Sequence, residues 1–405
     1  MVILTEEGKV ALNSLLAQAI AENRVPGAYF AAGTADGTLY SGSAGIRSFR
    51  DPTSGKVDEN SVFWICSMTK LVVTVAIIQL IEAGKITLET PVDSIVPELA
   101  NPVVVDDINA LEYTFKPAQN KMLIKHLLNH SSGLHYVPSH RKASPESLGP
   151  AYTAVGYGGD FSWRKFFELI RNGLPVVPLA FEPGTSWAYG WSCDIVALIV
   201  ERVTSKSIEE YCKEKIFGPI GMKTTSFYLT PELEKNIVSM TYRRKDGALE
   251  VWNGQLGIIE REPSKVGILL GGIGTYTNLD DYLLFLRHLL QIQAGTATNP
   301  LLSVGSASNL FRPSLPEHCV EEIKAFGGWE DCQFGYGLCL ANSDWPGRRK
   351  KGSGFWYGWA GTYYFMDPTT GLAVVYGTQV VPTNDPEVVK LWGQLETALY
   401  AGLKD

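Results

Sequence analysis

Long apolar runs are scarce in this chain, and none reaches the roughly 20 residues needed to cross a bilayer. The longest, from Leu71 to Ile81, is interrupted by Thr74 and Gln79, so no membrane span is expected. The opening residues Met1-Val2-Ile3-Leu4-Thr5-Glu6-Glu7 lack the basic-then-apolar order of a secretory signal. Cysteine is sparse, and Cys66, Cys193, Cys212, Cys319, Cys332 and Cys339 show no paired spacing. They read as reduced, buried thiols rather than a disulfide framework or a zinc site, and the expected location is cytoplasmic. The six histidines form no His-Glu-x-x-His or other metal spacing, so no metal and no cofactor are expected. His130 and His135, which flank Ser131-Ser132-Gly133, read as structural. A formal net charge of −7 argues against nucleic acid as a partner. The one basic block, Arg348-Arg349-Lys350-Lys351, sits between Pro346-Gly347 and Gly352 and reads as a solvated loop. There is no internal repeat, no low-complexity tract and no Gly-x-Ser-x-Gly nucleophile elbow. Gly272-Ile273-Gly274 lacks the further glycine of a dinucleotide-binding loop.

What is present fits a soluble enzyme with a large core: 405 residues, 45% of them hydrophobic and 19% charged. The most informative stretch is Trp64-Ile65-Cys66-Ser67-Met68-Thr69-Lys70, which runs straight into the apolar segment ending at Gly84. The spacing predicts a buried helix closed by a glycine cap. Ser67 and Lys70, three residues apart, share one face of its first turn. The helix terminus favours a developing anion, and burial lowers the proton affinity of a lysine. A Ser-x-x-Lys match by itself is equally what an N-cap serine beside an exposed lysine would give. Here the lysine leads into an apolar helix, where a solvated face would be polar.

The remaining chain reads as helix, hairpin, helical block, strands and helix. Thr5 caps a helix to Asn23, and 28–33 with 38–45 form a hairpin around Asp36-Gly37. Helices are expected over 122–130, 161–170, 194–204, 207–216 and 279–293. Strands follow at 334–340, 362–366 and 372–377, and Asp385-Pro386 opens a last helix to Tyr400. Residues 1–85 and 295–405 would then form an α/β domain around an antiparallel sheet. Residues 86–294 would be a mainly helical domain inserted into it, with the active site at their interface. Phe181-Glu182-Pro183-Gly184 leads to an aromatic loop holding Tyr189 and Trp191. A tyrosine there is a packed side chain or, beside a cation such as Lys70, a base.

In this order the motifs resemble the serine β-lactamase-fold group of class C β-lactamases, family VIII carboxylesterases and fungal acyltransferases of the lovastatin–simvastatin synthase type. The marks are Val25-Pro26-Gly27-Ala28, Ser67-Met68-Thr69-Lys70, Leu127-Leu128-Asn129-His130-Ser131-Ser132-Gly133-Leu134, Phe181-Glu182-Pro183-Gly184, Tyr189, Gly271-Gly272-Ile273-Gly274, Tyr336-Gly337-Leu338 and Phe365-Met366-Asp367-Pro368. The resemblance implies a class C β-lactamase or penicillin-binding-protein-like α/β (α+β) fold, a central antiparallel sheet flanked by helices with an inserted all-helical subdomain. It implies that Ser67 is acylated, Lys70 is its proton partner, and Tyr189 is the base that also protonates the leaving group. The oxyanion would be held by the backbone N–H of Ser67 and by one from the strand after Gly354. Trp356-Tyr357-Gly358 matches the lactamase Lys-Thr-Gly, which makes Trp359 that donor; read instead on Trp359-Ala360-Gly361, the donor is Thr362.

Two departures shape the substrate expectation. The lactamase Tyr-x-Asn is here Tyr189-Gly190-Trp191, and the Lys-Thr-Gly is Trp356-Tyr357-Gly358. The amide, cation and hydroxyl that a β-lactam would use are gone, and an unpaired buried carboxylate is costly. Tyr136, Trp191, Trp356, Tyr357 and Gly358 are the expected substrate-binding residues. They fit a neutral, apolar or aromatic small-molecule ester. The expected activity is a serine carboxylesterase with acyl transfer to alcohols. The alternatives are a dedicated acyltransferase, a β-lactamase or D-amino-acid peptidase, and a non-catalytic scaffold.

Overall fold

The hairpin expected around Asp36-Gly37 forms, with β1 (Gly27–Gly33) antiparallel to β2 (Thr38–Gly45). A bond from the Thr34 N–H to the Gly37 carbonyl, 2.8 Å, closes the turn. The computed structural model describes residues 2–107, 114–136 and 161–404. Every residue of β1 is buried, as befits a strand covered on both faces.

Around this hairpin lies an antiparallel sheet of seven strands. Tyr276–Asn278 lies outside it, as β4, paired with β3 (Val62–Trp64), the strand that delivers the chain to Ser67. The remaining strands of the large sheet are β5 (Cys332–Phe334), β6 (Cys339–Ala341), β7 (Gly354–Gly358), β8 (Thr362–Asp367) and β9 (Leu372–Gly377), in the spatial order β5-β6-β7-β8-β9-β1-β2. The continuous strand expected over 334–340 is instead a hairpin, because Gly337 takes φ +76° and the chain reverses between Gly335 and Leu338. A side chain at Gly337 would run into Thr74 of the nucleophile helix.

The helices follow the periodicity closely. Thr5 accepts from the Gly8 N–H to cap α1 (Glu6–Ala21), and Ser162 caps Trp163–Arg171 in the same way. The nucleophile helix α2 (Thr69–Glu82) ends in bonds from Gly84 N–H to Ile81 and from Lys85 N–H to Leu80. That is the Schellman closure, with Gly84 at φ +67°. Ser192–Thr204 forms α3, Leu279–Gln293 α4, Val320–Gly327 α5 and Pro386–Ala401 α6. The helix expected at 122–130 shortens to Ile124–Leu128, since His130 turns to φ +59°. The 207–216 segment begins as Ile208–Cys212 and widens into a π-turn over Lys213–Phe217.

Two expectations about organisation need amendment. The inserted segment is not all helix: Val103-Val104-Val105, a β-branched run, pairs with 115–117 and with Pro178–Leu179. Helix α4, assigned from sequence to the insert, packs on β9 and β1 of the large sheet. The basic block is solvated only in part, with Lys351 exposed and Arg349 buried. Arg349 is 2% exposed, and it and Arg348 both bind the fully buried carboxylate of Glu396 on α6.

Candidate active site

Strand β3 ends where the Ile65 N–H bonds the Thr275 carbonyl at 3.1 Å. The chain then turns through Cys66 at φ +47°, a left-handed value that a residue with a side chain holds only when its surroundings impose it. Cys66–Met68 form one 3₁₀ turn that runs into α2. Ser67 therefore sits at the head of a helix, where backbone N–H groups lack partners of their own. It is buried, at 6% exposure.

Lys70 comes from the first turn of α2 and is 3% exposed. Its Nζ lies 3.0 Å from Ser67 Oγ, donates to the Gly272 carbonyl at 2.9 Å, and is 3.4 Å from Tyr136 Oη. It also stands 4.5 Å from the centre of the Tyr189 ring. The Tyr189 hydroxyl receives a bond from Trp356 Nε1, 3.0 Å, and the Ser67 side chain adjoins it. The three residues expected to act together are thus in mutual contact.

Burial governs the proton affinities. Desolvation pushes Lys70 below the ordinary lysine range, opposed by Cys193, Asp194 and Cys66. Desolvation also pushes Tyr189 well above the usual phenol value, partly offset by its bonds to Ser67 and Trp356. Both shifts favour the uncharged forms, an amine and a phenol. His130 packs against the Tyr189 ring at 5.0 Å, and burial, then the Lys70 charge, lowers its pKa to about 3. It is therefore a neutral wall of the site. His135, also buried, bonds the Gly133 carbonyl at 3.3 Å.

The strand β7 carries the third motif. Trp356 packs on Tyr189 at 5.1 Å, while Tyr357, beside it at 5.4 Å, stacks on Tyr363 at 5.8 Å. Trp191 is 2% exposed and reaches the site through the edge of Tyr136, 4.8 Å away. Gly358 closes the strand, and a Cβ there would lie 2.3 Å from the Ile65 carbonyl. Only glycine lets the strand end press on the turn before Ser67. Trp359 opens the next turn, closed from Gly361 N–H to Gly358 O at 3.1 Å. Its ring lies between Trp64 and Trp252, at 6.0 and 5.6 Å. Thr362 stands inside the sheet, opposite both Gly358 and Gly377.

Several neighbours escaped the sequence reading. Phe326, at the end of α5 and 40% exposed, stacks parallel to Trp356 and lies 5.0 Å from Tyr189. Trp329 covers Phe355 and Trp356 at 5.0 and 5.6 Å. The Gly272 carbonyl and the buried Asp194 behind it were also unforeseen. The one available sign was Asp194 itself, a carboxylate at the head of the apolar run Ile195–Val200.

Comparison with known proteins agrees with this geometry. The chain belongs to the beta-lactamase family, whose model matches residues 12–399. It is 28% identical to a monacolin J acid methylbutanoyltransferase of Aspergillus terreus, over 97% of this chain and 95% of that protein. It is 27% identical to a lovastatin esterase of Penicillium rubens, over 92% and 93%. A mutant simvastatin synthase from Aspergillus terreus shares the fold with a TM-score of 0.80 at 26% identity, covering 98% of this chain and 95% of the other. The resemblance read from the motifs and the β-lactamase-like fold are thereby borne out. Relatives of this chain are acyltransferases and esterases, and an acyl-enzyme on serine fits the family.

Proposed function

We propose that this protein is a serine carboxylesterase that also passes acyl groups to alcohols, acting on neutral, apolar or aromatic small-molecule esters. The observation that carries this reading is the 3.0 Å approach of Lys70 Nζ to Ser67 Oγ in a buried aromatic cleft. Lys70, whose hold on a proton burial weakens, takes the Ser67 proton as Oγ attacks the ester carbonyl. Tyr189, held as a phenol, relays a proton to the leaving alkoxide and recovers it from the acceptor. This refines the expectation that Tyr189 is itself the base, since a buried phenolate would need a full cation beside it.

The tetrahedral anion is assigned to the N–H groups of Ser67 and Trp359. Support for Trp359 over Thr362 comes from its place at the strand end. Gly358 abuts Ile65, and Gln379 Nε2 bonds the carbonyls of both Trp64 and Ala360 at 3.3 Å, so the 359–361 turn lies against the nucleophile turn. Trp356 and Tyr136 border the reacting atoms, whereas Trp191 and Tyr357 support them from behind. Trp356 stands where a lactam carboxylate would need a cation, so β-lactam turnover is not assigned. Whether water or an alcohol takes the acyl group depends on the acceptor. The names of both relatives, a transferase and an esterase, fit a shared acyl-enzyme.

The test is intact-mass spectrometry after brief exposure to p-nitrophenyl butyrate or to nitrocefin, with nitrophenol release followed in parallel. The expected result is an adduct or turnover with the ester alone, absent in Ser67→Ala, and transfer when alcohols are added. An ester-inert wild type overturns the proposal.

A further inference from the structure

Asp194 is fully buried on the first turn of α3, five residues after Tyr189, and the reaction just described makes no use of it. Its Oδ1 accepts from the Gly272 N–H at 2.8 Å. The carbonyl of that same Gly272 accepts from Lys70 Nζ at 2.9 Å. One glycine thus links a buried carboxylate to the base, with its N–H on one and its C=O on the other. We propose that Asp194 is a positioning residue that fixes the Gly272 carbonyl on Lys70 and supplies the negative charge that keeps Lys70 basic enough to take the Ser67 proton. The proposal rests on the acyl-enzyme reading above.

The physical need is a balance. Burial weakens a lysine's hold on a proton, by up to several units for a fully enclosed one. A base stripped that far would be uncharged at every working pH and too weak to accept the proton of a serine hydroxyl. A carbonyl offers only a dipole, and the other titratable groups around the amine are neutral when protonated: Cys66, Cys193, Tyr136 and Tyr189, with His130 neutral near pH 7. Cys66, Cys193 and Tyr189 are all pushed upward by burial. Asp194 is the carboxylate whose charge reaches Lys70, and it opposes the effect of burial. When Ser67 Oγ attacks, its proton moves to Nζ. The new ammonium then faces Asp194 while the negative charge moves onto the substrate oxygen.

The test uses Asp194→Asn, which removes the charge and leaves an amide oxygen for the Gly272 N–H. Inactivation of Ser67 by a p-nitrophenyl alkylphosphonate, followed from pH 5 to 9, reads the nucleophile without deacylation. Removing the charge is expected to move the acid limb down by about one unit or more and to lower the plateau about tenfold. A merely structural role would lower the plateau and leave the limb in place. An unshifted limb in a folded variant overturns the proposal while the acyl-enzyme reading stands. A wild type that the phosphonate does not label at Ser67 overturns that reading instead. Should Asp194→Asn not fold, ¹³C titration of wild-type protein reads the same link. The Asp194 Cγ signal must move in step with Lys70 Cε, and a flat Asp194 response overturns the proposal.

Discussion

Two of the buried basic side chains, Arg349 and Lys70, are treated in opposite ways. Arg349 is saturated: its Nε and Nη2 each meet a different oxygen of Glu396 at 2.8 Å. Rings of Trp345, Phe355 and Phe365 surround its guanidinium at 4.4 to 4.9 Å. Glu396, although fully buried, is held below the usual carboxylate range by the two arginines. Lys70 has the hydroxyls of Ser67 and Tyr136, a carbonyl and an aromatic face, and is linked to its carboxylate through Gly272. A charge with complete partners cannot trade protons at neutral pH, and one with incomplete partners can. The first arrangement suits a brace and the second a base.

The contrast breaks most visibly at Lys70. Lys70→Ala should lower kcat/KM on p-nitrophenyl butyrate by about 10²–10⁴-fold. Chemical denaturation should show the fold intact, because a poorly compensated buried amine contributes little to stability. Glu396→Ala should do the reverse. It strands Arg349 without a counter-ion and costs about 3–5 kcal/mol, read as a lower denaturation midpoint, while the activity per folded molecule is kept. Trp356→Phe removes only the indole bond to Tyr189, so kcat should fall about tenfold with little change in KM, in line with about 1.4 kcal/mol.

A smaller effect sharpens the comparison through pH. Folded His126 and His130 take up protons only near pH 4 and 3, where burial has placed them. Unfolded histidine does so near 6.5. The unfolded chain therefore binds more protons between these values, and stability must fall as pH drops below about 6.5. His130→Gln should flatten that slope in melts taken from pH 7 to 5.

The sequence was most legible where local rules decide. The caps at Thr5, Ser162 and Gly84, the Asp36-Gly37 turn and the Ser67/Lys70 spacing all depend on neighbours within a few residues. Tyr189 was reached through motif order, because its contact with Lys70 spans over a hundred residues of chain. Less legible was which way a side chain points on a strand of aromatics. Trp356 and Tyr357 are adjacent and alike in composition, yet the first packs on Tyr189 and the second stacks on Tyr363. Arg348-Arg349-Lys350-Lys351 misled because composition marks an exposed loop, whereas Glu396, far along the chain, supplies the partner that permits burial. Phe326 gave no sign, since an aromatic residue near two glycines is commonplace.

The bond from the Trp356 indole to the Tyr189 hydroxyl also has an optical meaning. An indole N–H tied to a proton-relaying phenol, with Phe326 stacked on its ring, changes its electronic surroundings whenever that proton moves or an acyl group fills the cleft. Tryptophan emission should therefore step when Ser67 is acylated and recover when the acyl group leaves. The protein carries its own clock for both halves of the reaction, readable in a stopped-flow instrument without a coloured substrate.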